Sequence, residues 1–318
     1  MKKWLSRLFI GLLAVLVVLS VLPFAIHIRE DGIAPSQLVN DPDGRFISLQ
    51  GINVYYEDKG DSAAPALLLV HGLFGSTETW RYNVDALVDA DYRVITFDRP
   101  GFGLSDKLET TNYSVDNQTD LMVQLLDALS IKTTIIIGHS AGGNVAAHFA
   151  VNHPDRTAQL VLVDAAVLAG GPPGFVGKIV SLPSVWRWGR IGLQAYFTRE
   201  NFEKALQGFY VNPSFMTEAD YDVYWRAFQT PGWDIGLLGL TRDGGSPLTQ
   251  VEIGQITVKT LLLWGEQDTT TPLSQAKTLA QWLPNSLLTV IPNVGHQAFE
   301  EAPEAFNTAL IAFLNEGE

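Results

Sequence analysis

The chain has 318 residues, 47% hydrophobic and 17% charged, which is enough for one large domain or a domain with an insertion and too apolar for a disordered chain. A net charge of −13 argues against a nucleic-acid partner, which wants a basic face, and reads instead as a solvated acidic surface. There is no cysteine, so disulfides, thiolate catalysis and cysteine–zinc sites are excluded.

From Leu8 to Ile26 no residue is charged. At about 1.5 Å per residue this run approaches the hydrocarbon thickness of a bilayer, roughly 30 Å. Lys2, Lys3 and Arg7 precede it, while Arg29, Glu30 and Asp31 follow. The excess of positive charge before the run predicts a cytoplasmic N-terminus, with the remaining chain on the periplasmic or extracytoplasmic side. A cleaved signal peptide, giving a secreted protein, is the competing reading. It would have a shorter apolar region ending at small residues spaced like A-x-A, and Pro23-Phe24-Ala25 is a poor match. Residues 1–28 are therefore expected to form an anchor, and 29–44, with Gly32, Pro35, Pro42 and Gly44, a linker.

Residues 45–60 read as two short strands around Gln50-Gly51, a hairpin signal. Short apolar runs at 66–70, 92–98, 133–138, 159–164, 258–265 and 286–292 read as strands buried on both faces. Helical periods lie between them at 77–90, 117–130, 140–154, 272–284 and 302–315. Strand alternating with helix predicts an α/β fold: a mostly parallel eight-stranded sheet covered by helices. The alternation breaks between Asp164 and Val258, a stretch rich in Trp, Tyr and Phe. The expected organisation is a core of 45–164 and 258–318, with a helical cap of 165–257 inserted after the sixth strand. Most of the cap's rings are expected to form its own core, and a few to line a lipophilic pocket.

The stretch IIIGHSAGGN (135–144) places Ser140 between Gly138 and Gly142, where a strand ends and a helix begins. Such a turn strains the serine backbone and tolerates only small neighbours, leaving the hydroxyl at the top of the sheet beside a helix N-terminus. The Lys-Ser/Thr that would end a phosphate-binding loop is absent, as is His-Glu-x-x-His, so no metal and no cofactor are expected. A serine needs a base, and the base an orienting carboxylate. Asp268 lies just past one strand and His296 just past the next. Of the other histidines, His27 lies in the apolar run, His148 and His153 on a helix below the edge, His139 points away by strand alternation, and His71 sits in an early turn. Asp164 is the alternative acid. For the oxyanion, the N–H of Ala141 follows the nucleophile, and His71-Gly72 turns the chain so that the N–H of Leu73 faces the site.

With His71-Gly72-Leu73-Phe74-Gly75, Asp98-Arg99-Pro100-Gly101-Phe102-Gly103-Leu104-Ser105, Gly138 to Gly143, Gly265-Glu266-Gln267-Asp268 and Gly295-His296, the sequence resembles the α/β-hydrolase superfamily. The resemblance runs from about residue 45 to the C-terminus. It implies a Ser-His-Asp site, an oxyanion hole of two N–H groups and a cap after the sixth strand. Epoxide hydrolases and haloalkane dehalogenases of that superfamily carry aspartate at the nucleophile position, so Ser140 argues against both. Esterases and lipases, cofactor-free haloperoxidase-like perhydrolases and C–C bond hydrolases keep serine. The expectation is a membrane-tethered serine esterase or lipase acting on a lipophilic small-molecule ester through Ser140, His296 and Asp268. A C–C hydrolase or perhydrolase is the alternative, and a catalytically silent binding module the non-enzymatic one.

Overall fold

In a computed structural model that describes residues 2–169, 171–172, 174–245 and 247–316, the first core element is a hairpin. Gln50 and Gly51 both take positive φ (52° and 79°), the turn geometry whose twist matches right-handed strands. They join β1 (Gly44–Leu49) to β2 (Ile52–Lys59). The other strands are β3 (Ala66–Val70), β4 (Arg93–Phe97), β5 (Thr134–His139), β6 (Thr157–Val163), β7 (Thr260–Gly265) and β8 (Ser286–Ile291). They form one eight-stranded sheet in the order β1-β2-β4-β3-β5-β6-β7-β8. Only β1–β2 and β2–β4 pair antiparallel. The order reverses at β3, which has β4 on one side and β5 on the other, and a crevice outside the carboxyl ends of such strands is where open α/β sheets bind ligands.

Helix α1 (Lys2–Val21) begins the chain; α2 (Val115–Ala128) and α3 (Ala141–Asn152) flank the early strands. Among the described residues, five helices longer than one turn lie between β6 and β7: α4 (Gly174–Val180), α5 (Pro183–Tyr196), α6 (Arg199–Gln207), α7 (Glu218–Trp225) and α8 (Trp233–Asp243). A single turn at Gln250–Ile253 follows, and α9 (Leu273–Trp282) and α10 (Pro303–Asn315) complete the core.

Alternation along the strands feeds two apolar layers. Leu67, Leu69, Ile135, Ile137, Val161, Val163, Leu261 and Leu263 pack with Trp80, Leu87 and, from α10, Phe306, Leu310 and Phe313. Leu68, Val70, Ile136, Leu160, Leu162 and Leu262 pack on the other face with Leu121 and Leu125 of α2, Val145 and Phe149 of α3, and Leu279 of α9. Leu248, Ile253 and Ile256 are buried in this second layer, so the chain rejoins the core before β7 begins.

Two local expectations change. The helix expected over 77–90 is broken into a 3₁₀ turn (Thr77–Trp80) and a short α-helix (Val84–Val88). The Thr77 N–H is used by Asp98 Oδ1 at 2.7 Å, which pins the start of the segment to the β4 loop. Strand β8 is half-exposed rather than buried on both faces, because it is the sheet edge; Leu287 is 48% exposed.

Arg7–Ala25 is the one helix among the described residues long and apolar enough to cross a membrane by length and composition. The chain just after α1 is bound to α5. Arg187 Nε donates to the Pro23 carbonyl at 2.6 Å and its Nη2 to that of Ile26 at 2.9 Å.

Candidate active site

Ser140 sits between β5 and α3 with φ 51° and ψ −121°, a strained backbone for a residue with a side chain. The neighbouring glycines are dictated by close approach. A Cβ on Gly142 would collide with the carbonyl oxygens of Val70 and His71, and one on Gly138 would come within 2.6 Å of the Ala146 methyl. The strand-to-helix turn is therefore wedged between β3 and α3.

From this elbow a continuous line of hydrogen bonds runs across the sheet edge. Ser140 Oγ is 2.9 Å from His296 Nε2, and His296 Nδ1 is 2.8 Å from Asp268 Oδ2. A carboxylate only accepts, so Nδ1 carries the proton and Nε2 is free to accept from the serine hydroxyl. All three side chains are nearly removed from water. Asp268 is held from below by the N–H groups of Thr270 (2.7 Å) and Thr271 (3.0 Å) and by the Thr271 hydroxyl (2.6 Å). Burial pushes its carboxyl up, but the bonds from His296 and Thr271 outweigh this and hold it below its ordinary range.

Asp164, the alternative acid, is not the partner of His296 Nδ1, and its carboxyl lies beside that of Asp268. Its Oδ1 accepts the Gly265 N–H at 2.7 Å. Complete burial, reinforced by the nearby Asp268 charge, pushes it well above the carboxylate range, whereas Asp268 is held below it.

Ala141 opens the twelve-residue helix α3, so its N–H has no carbonyl one turn back and points out of the helix end. On the facing loop Gly72 lies against the elbow: a Cβ there would come within 3.0 Å of the Ser140 Cβ. Leu73 is the next residue, and Phe74 after it has φ 62°. His71 is buried and fixes this loop, its Nδ1–H donating to the Gly72 carbonyl (2.8 Å) while Nε2 accepts the Arg99 N–H (3.0 Å). Burial drives it well below the usual histidine range, in keeping with a neutral ring.

Four residues near the site take roles that the sequence did not assign to them. His139 does alternate away from the serine, yet its Nε2 bonds the His296 carbonyl at 2.9 Å and its ring packs 4.8 Å from that of His296. Phe209 of the cap accepts the His296 N–H at 2.8 Å. Thr271 was legible in principle, because Asp-Thr-Thr-Thr is an Asx-turn signal. Phe74 leaves the facing loop and enters the cap's aromatic cluster, 5.6 Å from Phe197 and 6.2 Å from Phe228 by ring centroid. Beside it a small apolar cleft of about 20 Å³ is lined by Phe74, Phe102, Phe228, Trp233 and Leu237.

The cap is latched to the histidine loop. Glu300, four residues after His296, accepts from Tyr210 (2.5 Å) and Tyr224 (2.8 Å) of the cap and pairs with Arg81 (2.5 Å), which also pairs with Asp220 at 2.8 Å. Glu301 accepts the N–H groups of Val211 (3.2 Å), Asn212 (2.6 Å) and Gly295 (2.8 Å).

A serine on a strained elbow, relayed through histidine to a carboxylate at the edge of this sheet, defines a class. Over residues 65–303 the chain matches the α/β hydrolase fold family, and it belongs to that family. It is a hydrolase of this fold. The 2-hydroxy-6-oxononadienedioate/2-hydroxy-6-oxononatrienedioate hydrolase of Paraburkholderia phymatum is 31% identical over 83% of this chain and 92% of its own. The uncharacterized hydrolase YugF of Bacillus subtilis is 28% identical over 85% of this chain and 97% of its own. Among solved structures, a meta-cleavage product hydrolase of Pseudomonas fluorescens IP01 is similar with TM-score 0.72 and 27% identity, over 86% of this chain and 98% of that one. A bacterial membrane phospholipase A shares the fold over 100% of this chain and 99% of its own, with TM-score 0.71 and 23% identity.

Proposed function

We propose that the protein is a membrane-anchored serine hydrolase that cleaves carboxylic esters of lipophilic small molecules. The observation that carries this is the unbroken line Ser140–His296–Asp268, at 2.9 and 2.8 Å. Ser140 Oγ attacks the ester carbonyl as His296 Nε2 takes its proton. Asp268 stabilises the imidazolium and keeps its tautomer. The tetrahedral oxyanion is received by the N–H groups of Ala141 and Leu73; losing one such donor typically costs about 3–4 kcal/mol of barrier. The proton then passes from His296 to the departing alcohol. Water, deprotonated by the same imidazole, releases the acid from the acyl-enzyme. The rings around the neighbouring small cleft, Phe74, Phe102, Phe228 and Trp233, support an uncharged, lipophilic substrate.

The relatives support a second reading, a C–C bond hydrolase with the same relay, because the name of their substrate describes a dicarboxylate. A dianion wants cations that are free to receive it. The cations nearest the cleft are occupied: Lys107 donates to the carbonyls of Gly103 and Ser105 (both 2.7 Å), and Arg99 to Gly72 and Gln118 (both 3.2 Å). That favours the ester. For the anchor, the support is the apolar length of Arg7–Ala25 and the bonds that tie its end to α5. Lys2, Lys3 and Arg7 favour a cytoplasmic N-terminus with the hydrolase on the extracytoplasmic side.

A fluorophosphonate probe should label the wild type and not Ser140→Ala. An unlabelled wild type overturns the serine mechanism. Turnover of the dienedioate with none of a nitrophenyl ester would decide for the C–C reading.

A further inference from the structure

The segment between Leu19 and Glu30 lies along one face of the cap helix α5. Pro23 has no N–H, so the carbonyl of Leu19, four residues earlier, lacks its helical donor. The Trp188 indole supplies one, Nε1 donating to Leu19 O at 2.8 Å. In hydrocarbon an unpaired carbonyl is strongly unfavourable, so a cap side chain completes the anchor's own hydrogen bonding. Arg187 holds the next turn through the Pro23 and Ile26 carbonyls, its guanidinium 5.6 Å from the Phe24 ring centre. Gln194 exchanges two 3.0 Å bonds with the backbone of Arg29, and Arg190 pairs with Glu30 at 2.9 Å. These contacts fix α5 beside the end of α1.

Helix α4 and the turn after it lead directly into α5. Phe175 and Ile179, at i and i+4, share one face of α4, and Leu182 follows in the turn before α5; they are 64%, 46% and 52% exposed. The other side of α4 is spent on the protein. Gly177 lies against the Arg242 carbonyl, and Val180 packs with Tyr113, Trp186 and Ile235. The stripe ends beside the anchor, since Ser181 and Pro183 line the same cleft as Phe24. Leu22 and Phe24, in the last turn of the anchor, are exposed as well.

Resting on the reading of α1 as a membrane anchor, we infer that Phe175, Ile179 and Leu182 dock the cap onto the phospholipid bilayer that the anchor crosses. Helix α4 lies in the plane of the interface, with its apolar face sunk roughly 5–10 Å into the headgroup and acyl boundary. Exposed Lys178 on the same helix sits at the level of the phosphates. Three side chains are too few to hold a free protein to lipid. Here the anchor makes the contact intramolecular, so the local concentration of bilayer is already high.

The absence of cysteine allows single labels. Full-length Phe175→Cys, Ile179→Cys and Leu182→Cys are made, with Val15→Cys in α1 and Val251→Cys, exposed on the turn at Gln250–Ile253, as references. Each carries a nitrobenzoxadiazole dye and is reconstituted in phosphatidylcholine vesicles. The docking predicts blue-shifted emission at 175, 179 and 182, lost to shallow spin-labelled phosphatidylcholine. Val15 should lose emission to deep spin-labelled lipid, and Val251 to neither. Water-like emission at all three cap sites, with Val15 still quenched, overturns the docking and leaves the anchor standing. Water-like emission at Val15 overturns the anchor and the docking together. A blue shift that spin-labelled lipid does not quench, with energy transfer between copies, assigns the face to a second copy and overturns the docking. Unchanged ester turnover certifies each fold, and a site that fails to fold leaves the other two to decide.

Discussion

The core edge that carries Ser140 and the cap above it are fixed by different physics. At the edge, positions are set by backbone against backbone. Gly142 fits only because nothing extends from it toward Val70 and His71, and the serine strain is held by β5 and α3 on either side. In the cap, positions are set by side chains: rings such as Phe197, Phe202, Phe228 and Trp233, and the Glu300–Arg81–Asp220 link to the core. The first arrangement tolerates no intermediate geometry. The second can adjust ring by ring, as apolar packing does when volume is kept. Changes at the edge should therefore act as switches, and changes in the cap as graded controls.

The sharpest way to break that contrast lies at the relay. Ser140→Ala and His296→Ala should each lower kcat by about 10⁵–10⁶-fold, with the double variant no worse, in steady-state assays on a nitrophenyl ester. Additive losses would mean that the two do not share one step. Asp268→Asn should cost about 10⁴-fold, while Asp164→Asn stays near wild type; the reverse order would move the orienting acid to the preceding strand. Where the core loop meets the cap, Phe74→Ala should lower kcat/KM for long acyl chains about 10–100-fold relative to short ones, because a ring packed among the cap's aromatics is lost. An equal loss at every chain length would place Phe74 with the switches. Smaller again, Tyr224→Phe removes one bond to a buried carboxylate and should cost about 1–3 kcal/mol in denaturant unfolding, with kcat nearly unchanged.

The smallest effect concerns pH. Asp164 is raised in the folded state, so between its unfolded and folded values the native protein holds a proton that the unfolded chain releases. That contribution to stability is full below the unfolded value of about 4 and is lost as pH rises toward the folded value. Asp268 is lowered and acts in the opposite sense, favouring the fold above about pH 4. Asp164→Asn should therefore lose less stability than wild type between about pH 5 and pH 8, measured by urea unfolding. An identical slope would mean that the carboxyl is ionised in the native protein.

The edge was legible in the sequence because its signals are local. Gly-His-Ser-Ala-Gly between an apolar run and an alanine-rich helix is one continuous stretch, and Asp268 and His296 each follow a recognisable strand. The hairpin at Gln50-Gly51 is equally local, a two-residue turn with its own backbone requirement. What was hidden depends on partners far along the chain. His139 supports the His296 carbonyl from 157 positions away, and Trp188 reaches the Leu19 carbonyl across 169. The helical period at 77–90 is real, but Asp98 takes the Thr77 amide and breaks the helix near its start. The half-exposed face of β8 follows from its place in the strand order, which apolar content alone does not encode.

The twin glutamates after His296 give the cap one stationary margin. Because Glu301 holds the amides of 211 and 212 in the cap and that of 295 in the histidine loop on a single carboxylate, lifting the cap there would strip two donors at once and pull Phe209 from the His296 amide. Any movement of the cap is therefore most costly at the 209–212 segment, where it is bonded to Glu301 and to the base itself.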